Sequence, residues 1–118
     1  MQLPKTVSEL MLVVSKDNLI NSIIQQLNKD FHLCNLNINY ELDLTASLLF
    51  EKLVIDVHEL FTDQYDDYLN LMYRMDISEQ ALLQIIDGNS TYVSEQISFL
   101  ILKRAYQKVW LKSNFRKL

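Results

Sequence analysis

Apolar positions along this chain recur mostly on a helical period. Leu19, Ile20, Ile23, Ile24, Leu27 and Phe31 return at three- and four-residue steps, with Asp17, Gln25 and Lys29 off their face, which predicts an amphipathic helix. Upstream, Thr6-Val7-Ser8-Glu9 has the form of a capping box ahead of the apolar run Leu10–Val14 and predicts a short helix there. Ser15 is the candidate cap of the helix that follows. From about Leu44 to Phe61 apolar residues crowd together, and too few polar positions remain for a wide wet face. This predicts a central helix with neighbours on several sides. Thr62 or Asp63 then opens a helix with Tyr65, Tyr68, Leu69 and Met72 as its apolar face. Asp76-Ile77-Ser78-Glu79 has D-x-x-E spacing and predicts a helix over Ala81 to Ile86. Gly88 ends it as a left-handed cap, and Asn89 or Ser90 caps a last helix reaching about Phe115. That helix is apolar at Val93, Ile97, Leu100 and Ile101, then at Leu102, Tyr106, Val109 and Trp110.

One stretch breaks the period. Leu36-Asn37-Ile38-Asn39-Tyr40-Glu41-Leu42-Asp43 alternates apolar and polar residues, as strands do. A lone strand leaves its backbone groups unpaired. An extended connector laid over the bundle is the favoured reading; pairing with Leu10–Val14 or with another copy is the alternative.

Composition strengthens the helical reading. The chain has one glycine and one proline, where average usage in 118 residues gives about eight and six. Strand-rich folds and phosphate-cradling loops both consume such residues. The expected fold is all-α: one domain over residues 1–118, a compact bundle of five or six helices, with a short extended segment around residues 36–42. Cys34 is the sole cysteine, so an internal disulfide is impossible and a reducing compartment fits. Leu10–Val14 is too short for a signal peptide's apolar region, and no stretch has the length of a membrane span. The expectation is a cytoplasmic protein without membrane contact.

Two blocks, Leu71–Glu79 (LMYRMDISE) and Phe99–Trp110 (FLILKRAYQKVW), resemble those of a group of short bacterial proteins of unknown function. The resemblance extends to Leu27–Leu33. It implies a small bacterial helical protein and carries over no activity, cofactor or site residue.

Charge is unevenly laid out. Residues 1–95 hold five Lys/Arg and fifteen Asp/Glu; residues 96–118 hold six Lys/Arg and no acid. On a helix, Arg104, Lys108, Lys112 and Arg116 form one basic stripe. These four are the candidate partner-binding residues, for an acidic protein face or for nucleic acid. The competing reading is internal, with the stripe packed beside the protein's own acidic helices, and it weighs more because a charge run alone is weak evidence. A pI near 5.0 also disfavours a dedicated nucleic-acid binder.

The acidic counterpart is Asp56, Glu59, Asp63, Asp66 and Asp67. Glu59, Asp63 and Asp66 would share a face if one helix ran through Thr62. A metal site there is disfavoured, since His58-Glu59 lacks the second histidine of H-E-x-x-H and the helical di-metal pattern is missing. Catalytic candidates are few. His32 and Cys34 are two residues apart and do not face each other on a helix, and Cys34 suits a buried structural role. Tyr106 and Trp110 beside the basic stripe fit core closure better than base stacking. The leading expectation is a non-enzymatic protein-interaction module (adaptor, regulator or oligomer subunit) with no cofactor. Nucleic-acid binding through the basic helix is the alternative, and a metal protein or enzyme using Glu59–Asp67 the third.

Overall fold

A computed structural model describes residues 3–16, 18–85 and 90–115. It is an all-α bundle of six helices: α1 Val7–Lys16, α2 Ile20–Leu33, α3 Ala46–Asp63, α4 Tyr65–Met75, α5 Glu79–Leu83 and α6 Ser90–Phe115. Among the described residues there is no strand.

The long α6 runs through the middle, against α1, α2, α3 and α4, with α3 as its most extensive partner. Val93, Ile97 and Ile101 line one side of it, and Leu102, Tyr106 and Val109 another; all are buried. A helix apolar on more than one side must be surrounded to hide its surface. α3 meets α1, α4 and α6, so it has neighbours on several sides as expected, but it is less enclosed than α6. Its buried residues Ala46, Leu49, Leu53, Val57 and Leu60 form one stripe, while Leu48 and Ile55 face solvent. Its density of apolar residues exceeds what its neighbours cover, so α6 is the more enclosed of the two.

Ser94 and Ser98 are both fully buried on α6, and among the described residues the Ser98 hydroxyl has no hydrogen-bond partner. A buried unsatisfied hydroxyl costs about 1–3 kcal/mol. Ser98→Ala removes that hydroxyl without opening a large cavity. It should raise stability by roughly 1 kcal/mol, read as a higher urea midpoint. A lower midpoint would show that the hydroxyl is satisfied.

With one glycine in the chain, the turns rely on Asn and Asp. Asn18, Asn35, Asp43 and Asp76 all adopt positive φ, between 54° and 69°. Short polar side chains tolerate this left-handed conformation better than other non-glycine residues. Asp76 is the left-handed C-cap of α4, not the opening of the next helix. Ser78 takes that role, its Oγ accepting from the Ala81 N–H at 3.3 Å, and α5 is a five-residue helix. The Gly88 and Asn89 caps lie outside the described residues.

Other boundaries follow the same logic. Thr6 Oγ1 accepts from the Glu9 N–H at 3.1 Å, and the Glu9 carboxylate reaches back to the Lys5 N–H at 2.8 Å; this is the expected cap, shifted by one residue on its return bond. Ser15 lies within α1, and Leu19 precedes α2 with no side-chain cap. Neither Thr62 nor Asp63 opens α4. α3 continues through both, Gln64 makes the break, and Thr62 Oγ1 donates to the His58 carbonyl at 2.8 Å.

The segment 36–42 is an irregular connector, as favoured, with the alternating burial its sequence foretold: Leu36, Ile38 and Tyr40 inward, Asn37, Asn39 and Glu41 outward. Two asparagines of α2 stand in for the missing strand partner. The Asn28 amide accepts from the Tyr40 N–H at 2.8 Å and donates to the Tyr40 carbonyl at 2.9 Å. Two turns earlier, Asn21 accepts from the Asp43 N–H at 2.7 Å and donates to the Asp43 carboxylate at 2.9 Å. The connector's backbone is thereby held without a sheet.

Candidate functional site

The basic stripe turns inward. Lys108 Nζ lies 3.2 Å from Asp30 Oδ2, and Arg74 of α4 approaches the other Asp30 oxygen at 3.9 Å. The Asp30 side chain is 3% exposed. Gln26, also buried, donates to the same carboxylate at 3.1 Å and accepts from Lys112 Nζ at 2.9 Å. Arg104 donates through Nε to the Met75 carbonyl at 2.9 Å and pairs with Asp76 at 3.7 Å. Three of the four stripe residues are thus engaged by α2 and the end of α4; Arg116 lies outside the described residues. The same contacts bring the two blocks Leu71–Glu79 and Phe99–Trp110 together, through Arg104 against Met75 and Asp76.

The acidic stripe is not brought to a point. The break at Gln64 separates Glu59 and Asp63 from Asp66. Asp56 accepts from the Tyr40 hydroxyl at 2.6 Å, which occupies that oxygen structurally. No group of three His, Cys, Asp or Glu side chains among the described residues could hold a metal ion.

A serine and a histidine do meet, a pairing that spacing could not reveal. The Ser94 hydroxyl and His58 Nδ1 stand 3.3 Å apart. Ser94 is fully buried at the contact of α3 with α6, out of a substrate's reach. Cys34 is half-buried, with Sγ 3.8 Å from the Asn70 carbonyl. Burial raises its thiol pKa above the ordinary value, with Arg74 opposing, so the thiolate is scarce at neutral pH. An open groove of about 560 Å³ lies among α1, α3, α5 and α6, with Phe50, Ile85, Phe99 and Leu100 in its lining and no Ser, Cys or His among the described residues there.

What sequence spacing missed is the outward side of α4. The expected apolar face was Tyr65, Tyr68, Leu69 and Met72; the buried face is Tyr68, Leu71, Met72 and Met75. Both are complete helical quartets, and the fold chose the second. Tyr65, Leu69 and Tyr73, at i, i+4 and i+8, are left 51%, 46% and 90% exposed. Tyr65 is held by ring contacts, edge-on to Phe61 at 5.7 Å and tilted against Tyr68 at 5.4 Å. Asp66 sits one turn from Leu69 and Asn70 on the same helix. Core closure holds for Tyr106, which is buried, and for Trp110, which packs against the core, while the expected apolar face of α4 fails at Tyr65 and Leu69.

These features define an all-α bundle with an exposed apolar and aromatic line on one of its helices. No protein-family model, curated protein or solved structure matches the chain. No helix among the described residues is long and apolar enough to cross a membrane.

Proposed function

We propose that this protein is a non-enzymatic helical interaction module that binds another protein through the outward side of α4. The observation that carries this reading is the line Tyr65, Leu69 and Tyr73, with large side chains exposed in register along two helical turns. Surface apolar residues scattered singly need no explanation, but a contiguous patch marks an interaction site. Tyrosine is enriched among the residues that dominate binding energy. A ring already held by its neighbours, as Tyr65 is by Phe61 and Tyr68, loses little further freedom on docking. The internal pairing of Arg104, Lys108 and Lys112 favours this face over the basic stripe as the binding surface.

The test is affinity capture of the tagged protein from its native cells after nuclease treatment, beside a Leu69→Asp/Tyr73→Ser double variant. Both positions are exposed, so each change should cost within about 0.5 kcal/mol of stability and the variant should melt with the parent. A protein that survives nuclease and is lost from the double variant is the expected result. Captured material that is nuclease-sensitive, or that the variant retains in full, would overturn the assignment to this face.

A further inference from the structure

We infer that the α4 face takes a basic amphipathic helix, one that lays apolar side chains along Tyr65, Leu69 and Tyr73 and places Lys or Arg beside them. The inference rests on the reading of α4 given above and adds the chemistry of the partner.

Charge carries the argument. From Leu53 to Tyr73 the chain has five acids and no Lys or Arg. Glu59, Asp63 and Asp66 are exposed, and none has a cationic partner among the described residues, where the ion pairs involve only Asp30 and Asp76 on the acidic side. On these two helices the cations are Lys52, two turns before Glu59 on α3, and Arg74 at the far end of α4. Arg74, although on α4, turns toward Asp30, and Arg104 reaches Asp76 and the Met75 carbonyl. The end of α3 and the start of α4 therefore present uncompensated carboxylates beside an aromatic line. Such a field attracts a cationic partner and repels an anionic one before contact is made.

Geometry selects the helix. An i, i+4, i+8 line is one ridge of an α-helix, and ridges seat in the grooves of a second helix. Recognition of amphipathic helices by apolar surfaces works through side chains at i, i+3, i+4 and i+7. α4 offers about three turns, enough for two or three such anchors. A basic helix with that spacing matches both the line and its rim.

A display library of random 16-residue peptides, selected on the immobilised full-length chain, tests this directly. Counter-selection uses the Leu69→Asp/Tyr73→Ser double variant. The expected pool is enriched in Lys and Arg set among apolar residues at three- and four-residue spacing. For synthetic peptides from that pool, a Glu59→Gln/Asp63→Asn/Asp66→Asn triple variant should weaken binding about tenfold at low salt. Added salt should narrow the difference. Face-dependent peptides that are acidic or uncharged, or that ignore the triple variant, would overturn the basic-partner inference while leaving the α4 face standing. A selection with no enrichment that the double variant abolishes would remove both.

Discussion

Asp30→Ala is expected to destabilise the fold by about 3–5 kcal/mol, because it breaks an ion-pair network centred on a buried carboxylate. The Asp30 carboxylate sits on the α2 side of the bundle and gathers Lys108 from α6, Arg74 from α4 and Gln26 from its own helix. The Lys108 side chain is 20% exposed. Part of its charge can therefore turn to water when the carboxylate goes, which puts the cost at the lower end of that range. Against a total stability of roughly 5–15 kcal/mol the loss is still large, on the order of 10 °C in Tm. Asp30→Asn keeps the volume and one acceptor oxygen and should fall between the two. Replacing both partners, as Asp30→Leu with Lys108→Met, should recover much of the loss, since an apolar pair of similar size removes the desolvation cost together with the attraction. Urea midpoints of Asp30→Leu, Lys108→Met and their double form a cycle with the parent. A loss under about 1 kcal/mol for Asp30→Ala, or a strictly additive double, would show that the carboxylate behaves as a solvated surface group.

That same network explains why the basic stripe was hard to place from sequence. Lys108 and Asp30 are 78 residues apart, and no local spacing joins them. One signal was present and informative. Gln26 and Asp30 fall on the same helical lattice as Ile23, Leu27 and Phe31, so they are polar residues inside an apolar stripe. Buried polar residues need partners, and the chain's surplus of cations lies in its last helix.

Other elements divide along physical lines. α2, α3 and α6 were legible because each buries at least one well-marked stripe. The connector's alternation was legible because its inward residues have only the bundle to face. Turns built on Asn and Asp were less so, since one glycine and one proline suggested few turns, while Asn18, Asn35, Asp43 and Asp76 supply the positive-φ positions. For α4, periodicity left two apolar quartets in competition, and only the position of α6 and α3 decides between them. The quartet that lost is the source of the candidate site. Its signal is an apolar surplus on a helix packed along one side only, and that surplus is visible in the sequence only after the helix has been packed.

Stability should collapse between about pH 10 and 12, with two buried tyrosines as the cause. The Tyr40 ring is buried and its hydroxyl donates to Asp56 at 2.6 Å. Burial first, then the hydrogen bond and the negative charge of Asp56, hold its pKa far above the ordinary value. Tyr68, buried between α4 and the core, is pushed up to about 12 by burial, with Tyr65 adding to the shift. Neutral phenols are what the fold accommodates. In the unfolded chain a tyrosine ionises near pH 10, so above that value the unfolded state sheds protons that the native state keeps. Their contribution is complete below pH 10 and disappears as the pH climbs toward the folded values, at roughly 1.4 kcal/mol per pH unit for each tyrosine. Two such groups across two units remove on the order of 5 kcal/mol, comparable to the whole stability of a marginal domain. Tyr40→Phe separates the contributions. It loses the bond to Asp56, which lowers stability at neutral pH by about 1.5–3 kcal/mol for a hydrogen bond to a charged group, yet it removes a group that titrates. The urea midpoint of Tyr40→Phe should therefore fall less steeply with alkaline pH than that of the parent, by the contribution of one tyrosine. Tyrosinate absorbance should show the native variant retaining one protonated phenol fewer than the native parent. Equal slopes for parent and variant would mean that Tyr40 ionises alike in both states, and that the Tyr40–Asp56 contact opens to water.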